Sequence, residues 1–124
     1  MAIQNGIVGG VSFKEAQVIA EGHPVVVRSR VVKANQGTLQ PGQLLALDSA
    51  GLAVAYDPAY TPGQNDPPAP ALYGVCLHLV DTAAEAAAEV IVHGTVVKAV
   101  LFTLAGAATP AVLEALEALT IYPV

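Results

Sequence analysis

The densest alternation of apolar and polar positions runs from Val25 to Pro58, VVVRSRVVKANQGTLQPGQLLALDSAGLAVAYDP. Val25 to Lys33 is rich in β-branched residues, and Gly37, Pro41 and Gly42 punctuate the chain before a second apolar run, Leu44 to Leu47. Asp48-Ser49-Ala50-Gly51 joins polar turn formers to a glycine, which predicts a hairpin with Leu52 to Tyr56 as its return strand. Alternation in the first run places Val25, Val27 and Val31 on a core face and Arg28 with Arg30 on the other. There the two arginines are either solvated or grip carboxylates of a neighbour. Together the three runs predict a β meander.

Downstream, Pro58 to Ala71 carries five of the nine prolines, which remove backbone donors and exclude both helix and inner strand. The stretch reads as an exposed loop, with a ligand for an SH3-like module as its sharper alternative. Tyr73 to Val80 returns to period two, with Tyr73, Val75, Leu77 and Leu79 facing away from Gly74, Cys76 and His78. TAAEAAAE, residues 82–89, has the strongest local helix propensity, and Thr82 with Glu85 fits a capping box, so one or two helical turns or a loop are expected. Val90 to Leu101 is the longest β-branched run and is broken by Gly94, which predicts two short strands or one with a bulge.

Thr109-Pro110 opens a helix, with Thr109 as cap and Pro110 at the first helical position. Val112, Leu113, Leu116 and Leu119 form its apolar stripe, lying on the sheet or on a neighbouring subunit, with Glu114 and Glu117 outside. The fold class that follows is mainly β with a minor α part (α+β), a small antiparallel β meander or barrel-like domain over 23–124 with one C-terminal helix.

Residues 1–22 read as an extended N-terminal arm. Gly6, Gly9 and Gly10 make helix costly, and ordering such a segment opposes roughly 1–2 kcal/mol of backbone entropy per residue. Ile3, Ile7, Val11 and Phe13 fall on one alternating face and Val8 on the other, a pattern suited to adding as a strand to a partner's sheet edge. A short strand is expected over Ala16–Ala20.

Composition adds a constraint. Hydrophobic residues make up 54% of the 124 and charged ones 12%, against about 25% in soluble domains, so part of the surface is expected to be apolar and covered by a partner, unless exposed Ala and Gly account for it. The net charge of −5 argues against a nucleic-acid partner, since Arg28, Arg30 and Lys33 are only a local cluster. The single Cys76 excludes an intrachain disulfide. Met1 to Val11 lacks the pattern of a signal peptide, and no run approaches the ~20 apolar residues of a membrane span, so synthesis in the cytoplasm is expected.

The sequence contains no Gly-rich phosphate loop, nucleophile elbow, cysteine pair or His-x-x-x-His spacing, and Ser12, Ser29 and Ser49 have no His and carboxylate in a triad order. Cys76, His78 and His93 are the residues from which a metal site would be built, with Asp81 and Glu89 nearby in sequence, but no complete ligand set suggests itself. Neither catalysis, a metal nor a cofactor is expected.

GTLQPGQLLALDSAGLAVAYDPA, followed by YGVCLHLVD and EVIVHGTVV, resembles the head decoration (capsid-stabilising) proteins of lambda-type tailed phages. The shared pattern is a Gly-x-Leu-x-x-Gly turn, a hairpin, a Tyr-Asp-Pro exit, a strand beginning Gly-Val, a strand closing on His-Gly, and an Ala/Leu-rich helix followed by Ile121-Tyr122. The resemblance covers roughly residues 25–122. It implies a homotrimer at local three-fold positions on the outside of the phage head, binding the major capsid protein and touching neither DNA nor membrane. Val90 to Leu101 and the helix would then be shared across subunits. A small β-barrel that carries a ligand or cofactor on a hairpin is the alternative, although Lys14, Lys33 and Lys98 all miss the hairpin tip.

Overall fold

Eleven consecutive residues with a β-branched second half make one strand the spine of the molecule. The computed structural model describes residues 18–124. In chain order the elements are β1 (Val26–Val32), β2 (Thr38–Leu39), β3 (Leu44–Leu47), β4 (Ala53–Ala55), β5 (Ala71–Cys76), β6 (Val80–Asp81), β7 (Ala86–Val96), a 3-10 turn (Lys98–Val100), β8 (Phe102–Thr103), β9 (Gly106–Ala107), α1 (Pro110–Ala118) and β10 (Ile121–Pro123).

The spine is β7. Its first part pairs antiparallel with β1, from Val32 opposite Ala86 to Val26 opposite His93, and on its other edge with β5 at Val90 and Ile91. The β3–β4 hairpin completes a ring, with β3 on β5 and β4 touching β1 through one parallel bridge, Val32 to Ala53. The product is a closed five-stranded barrel. Beyond it, β10 runs parallel to β7 from Ile121 opposite Gly94 to Pro123 opposite Val96. Such a parallel return needs a crossover, which the chain between β7 and β10, with α1 in it, provides.

Period-two alternation along the barrel wall feeds two cores. Leu45, Cys76 and Val90 point into the barrel with Val32, Leu39, Ala53, Ala55, Val80 and Ala88. Their neighbours Leu44, Val75 and Ile91 point outward and meet Val112 and Leu116 of α1, with Val18, Leu77, Val96, Leu101 and Ile121. Both faces of these strands are therefore apolar and buried, which the near-continuous hydrophobic runs reflect.

Local chemistry explains the joints. Asp48 Oδ1 accepts from the N–H groups of Ala50 (2.9 Å) and Leu52 (3.0 Å), and Gly51 takes φ +82°, closing the expected hairpin. Thr109 caps α1 by accepting from the Val112 N–H (3.4 Å), with Pro110 in the first turn as expected. Gly94 has φ +115°, and a Cβ there would lie 2.7 Å from both Pro24 O and Val25 Cα. The strand turns at this glycine from the barrel to β10 without being interrupted.

The mainly β fold with a C-terminal helix is the expected one, and several details differ. Instead of a simple meander, β1 pairs with the distant β7 and meets the β3–β4 hairpin only on β4, through the Val32–Ala53 bridge. Val25 and Val27 pack against the core under α1 as expected, but Val31 is 48% exposed and Val32 fully buried, while Arg28 and Arg30 are exposed. Residues 86–89 are strand rather than helix, because pairing with β1 outweighs alanine's helix propensity. Thr82 does not cap a helix: its hydroxyl accepts from Gln36 N–H (2.7 Å) and donates to Gly37 O. A register shift skips Tyr73, which turns to the barrel side with Cys76 instead of sharing the face of Val75. Leu79 is exposed.

At the N-terminal side, the arm residues up to 17, with Ala16 and Gln17 of the expected strand, lie outside the described residues. Val18 is buried, Ile19 bridges antiparallel to Val96, and the Ala20 N–H donates to Thr95 O (3.0 Å). Residues 18–20 thus belong to the domain.

Gly94→Ala is expected to destabilise the protein by about 2 kcal/mol or more, lowering Tm by several degrees in a thermal melt, because both its φ and its neighbours resist a side chain. Leu116→Ala, at a fully buried site, should cost about 2–5 kcal/mol in urea denaturation. Leu119→Ala should stay within roughly 1 kcal/mol, since that side chain is exposed.

Candidate functional site

The turn at Gly94 gathers side chains from three separate stretches onto one surface. His93 precedes it on β7, β10 brings Tyr122 alongside, and His23 leads into β1. The His23 and Tyr122 ring centroids are 5.0 Å apart, and His93 lies 6.1 Å from the first and 6.2 Å from the second, both edge-on. The His23 N–H donates to Thr95 Oγ1 (2.8 Å), which fixes the backbone beneath its ring. Thr120, in the left-handed conformation after α1, donates its hydroxyl to Leu119 O and has its oxygen 2.9 Å from His93 Nδ1.

Val26 lies opposite His93 on the ladder and is 42% accessible, and Leu119, 38% accessible, precedes the Thr120 that bonds His93. The patch formed by Val26, His23, His93, Leu119 and Tyr122 holds no Asp, Glu, Lys or Arg. Leu119 was expected within the apolar stripe of the helix. Only Val112 and Leu116 of that stripe are buried, Leu113 is half-buried, and Leu119 caps the helix and faces outward.

The Cys76, His78 and His93 set does not assemble as a centre. Cys76 is enclosed in the barrel core, where its Sγ donates to His78 O (3.0 Å), while His93 belongs to the aromatic cluster. Among the described residues no group of three or more His, Cys, Asp and Glu side chains converges as a metal site would require. Burial pushes the Cys76 thiol up to about 11 from 9.0, partly offset by the hydrogen bond to His78.

A concavity of about 580 Å³ lies between the Pro-rich loop and the β3–β4 hairpin. Tyr56, Tyr60, Pro67, Lys33, Gln36 and Asp48 are among its walls. The loop is as exposed as its prolines demand, and its shape is held locally: Tyr60 Oη donates to Pro67 O (3.0 Å) and Asp66 Oδ2 accepts from Gly63 N–H (2.8 Å). Asp48 is committed to its turn, and the Gln36 amide oxygen accepts from Ala55 N–H (3.2 Å).

Ile3, Ile7, Val8, Val11 and Phe13, expected to bind a capsid, lie outside the described residues. His23 and Tyr122 were not singled out as partners of His93, since only tertiary pairing joins them, Tyr122 through the parallel β10–β7 ladder and His23 through its backbone bonds to Thr95. No protein-family model matches the chain, and no curated protein matches it.

The raised thiol pKa has a sign that can be measured. The unfolded chain releases the Cys76 proton above pH 9.0 while the folded chain keeps it to about 11, so stability falls as pH rises across that window. Denaturation at pH 9 and pH 11 should show about 2 kcal/mol more loss in the native sequence than in Cys76→Ala.

Proposed function

We propose that the protein is a structural capsid decoration, or cement, protein. It binds the outside of a phage head as homotrimers at local three-fold positions and holds neighbouring major capsid subunits together. The observation that carries this reading is the uncharged patch of Val26, His23, His93, Leu119 and Tyr122 on a chain with only 12% charged residues. An aromatic and aliphatic patch without ionic groups suits the centre of a protein interface. The motifs shared with the lambda-type decoration family add support, because most fall at structural joints: Gly37 to Gly42 before β3, Asp48 to Gly51 in the hairpin, Tyr56-Asp57-Pro58 at its exit, and His93-Gly94 at the turn of β7, while Gly74-Val75 lies within β5. In this reading Ile3, Ile7, Val11 and Phe13 line one face of an arm that adds to the capsid protein's sheet, and the work is burial and strand pairing rather than catalysis.

The groove beneath the Pro-rich loop favours the second reading, a small β-barrel that binds a ligand. A volume of about 580 Å³ lies in the range of small-molecule sites.

Sedimentation equilibrium is expected to give about three times the chain mass of 12.6 kDa, in solution or on undecorated heads of the parent phage. The pair Val26→Glu and Leu119→Glu should weaken that association at least tenfold, through buried unpaired charge, while leaving Tm within a few degrees. A monomer that also fails to co-sediment with such heads contradicts the proposal.

A further inference from the structure

Among the described residues, one edge of β1 has almost no strand beside it. Among the described residues it meets β4 only at Val32 opposite Ala53, where the Lys33 N–H donates to Ala53 O (3.0 Å). Backbone direction alternates along a strand, so the N–H groups of Val27, Ser29 and Val31 lie on that same side, while Arg28, Arg30 and Val32 turn theirs toward β7. Arg28, Ser29, Arg30 and Val31 are all exposed, so neighbouring side chains leave this edge uncovered. An uncovered edge is a template for one more strand.

Charge selects the occupant. Arg28, Arg30 and Lys33 are three of the five Lys and Arg residues in a chain of net charge −5. Arg28 and Arg30 project from one face of β1 at the spacing of alternate strand residues. Arg30 is already oriented, with Nε donating to Tyr73 Oη (2.9 Å) and its guanidinium 4.9 Å from the centre of that ring. Among the described residues none of the three cations makes an ion pair.

We propose that the open edge of β1 binds an extended acidic segment of a partner protein by strand addition. Main-chain bonds would form at Val27, Ser29 and Val31, and carboxylates on alternate residues of the incoming strand would face Arg28 and Arg30. The arginines also set selectivity, because two copies of this edge brought together would place like charges side by side. The inference concerns a surface apart from the uncharged patch and stands whether or not the protein decorates a capsid.

The probe is a short synthetic peptide alternating threonine and glutamate, titrated into the full chain by amide NMR. Expected are saturable shifts centred on Val27, Ser29 and Val31, slowed exchange of those three amides, and weakening as salt is added. R28E/R30E should weaken binding about tenfold or more. Ser29→Pro removes an edge donor without touching the ladder to β7, so it should also weaken binding about tenfold with Tm nearly unchanged. If Ser29→Pro fails to fold, the charge-reversal pair and the exchange data decide alone. The proposal is overturned if the peptide does not bind saturably, if a threonine–lysine peptide binds as well, if the variants bind like the native chain, or if short duplex DNA competes for the same amides more tightly than the acidic peptide.

Discussion

Pairing on both sides of β7 is the constraint from which the rest of the molecule hangs. Val90 and Ile91 are consecutive, yet one fills the barrel and the other the layer under α1, so the two cores share a backbone and not merely a border. Each strand of the barrel is fixed by reference to β7, either directly, as β1 and β5 are, or through the hairpin that spans between them. Ladders whose members are far apart in sequence require closure of long loops before they give any return, so this arrangement is cooperative rather than modular.

Much of this was readable from residues alone. The Asp48–Gly51 turn, the helix cap at Thr109-Pro110 and the exposed Pro-rich loop are determined by local chemistry, and the chain does there what the residue types dictate. The misreadings share a different cause. Ala86 to Glu89 prefer helix in isolation and become strand because β1 offers a ladder, a tertiary effect with no local signature. Val31 and Val32 are chemically identical, and only the register decides which is buried. The bulge at Tyr73 inverts a face in the same way. The aromatic cluster was out of reach because Tyr122 joins His93 only through the parallel β10–β7 pairing and His23 only through its backbone bonds to Thr95.

The barrel interior bears on function by being full. Valine, leucine, alanine and Cys76 side chains occupy it, as expected of so few strands, and it is a packed core instead of a container. The outer surfaces differ in chemistry: an uncharged aromatic patch at the turn of β7, a cationic edge on β1 that is open among the described residues, and a proline-walled groove over the hairpin.

Val96 has Ile19 on one side and Pro123 on the other. Two strand spacings separate those residues, about 10 Å, although more than a hundred positions of sequence lie between them. The fold is in this sense a loop almost tied shut at β7. Val18, whose carbonyl accepts from Val97 N–H, and Val124, bonded to Val96 and Lys98, are thus held at one locality at the end of β7.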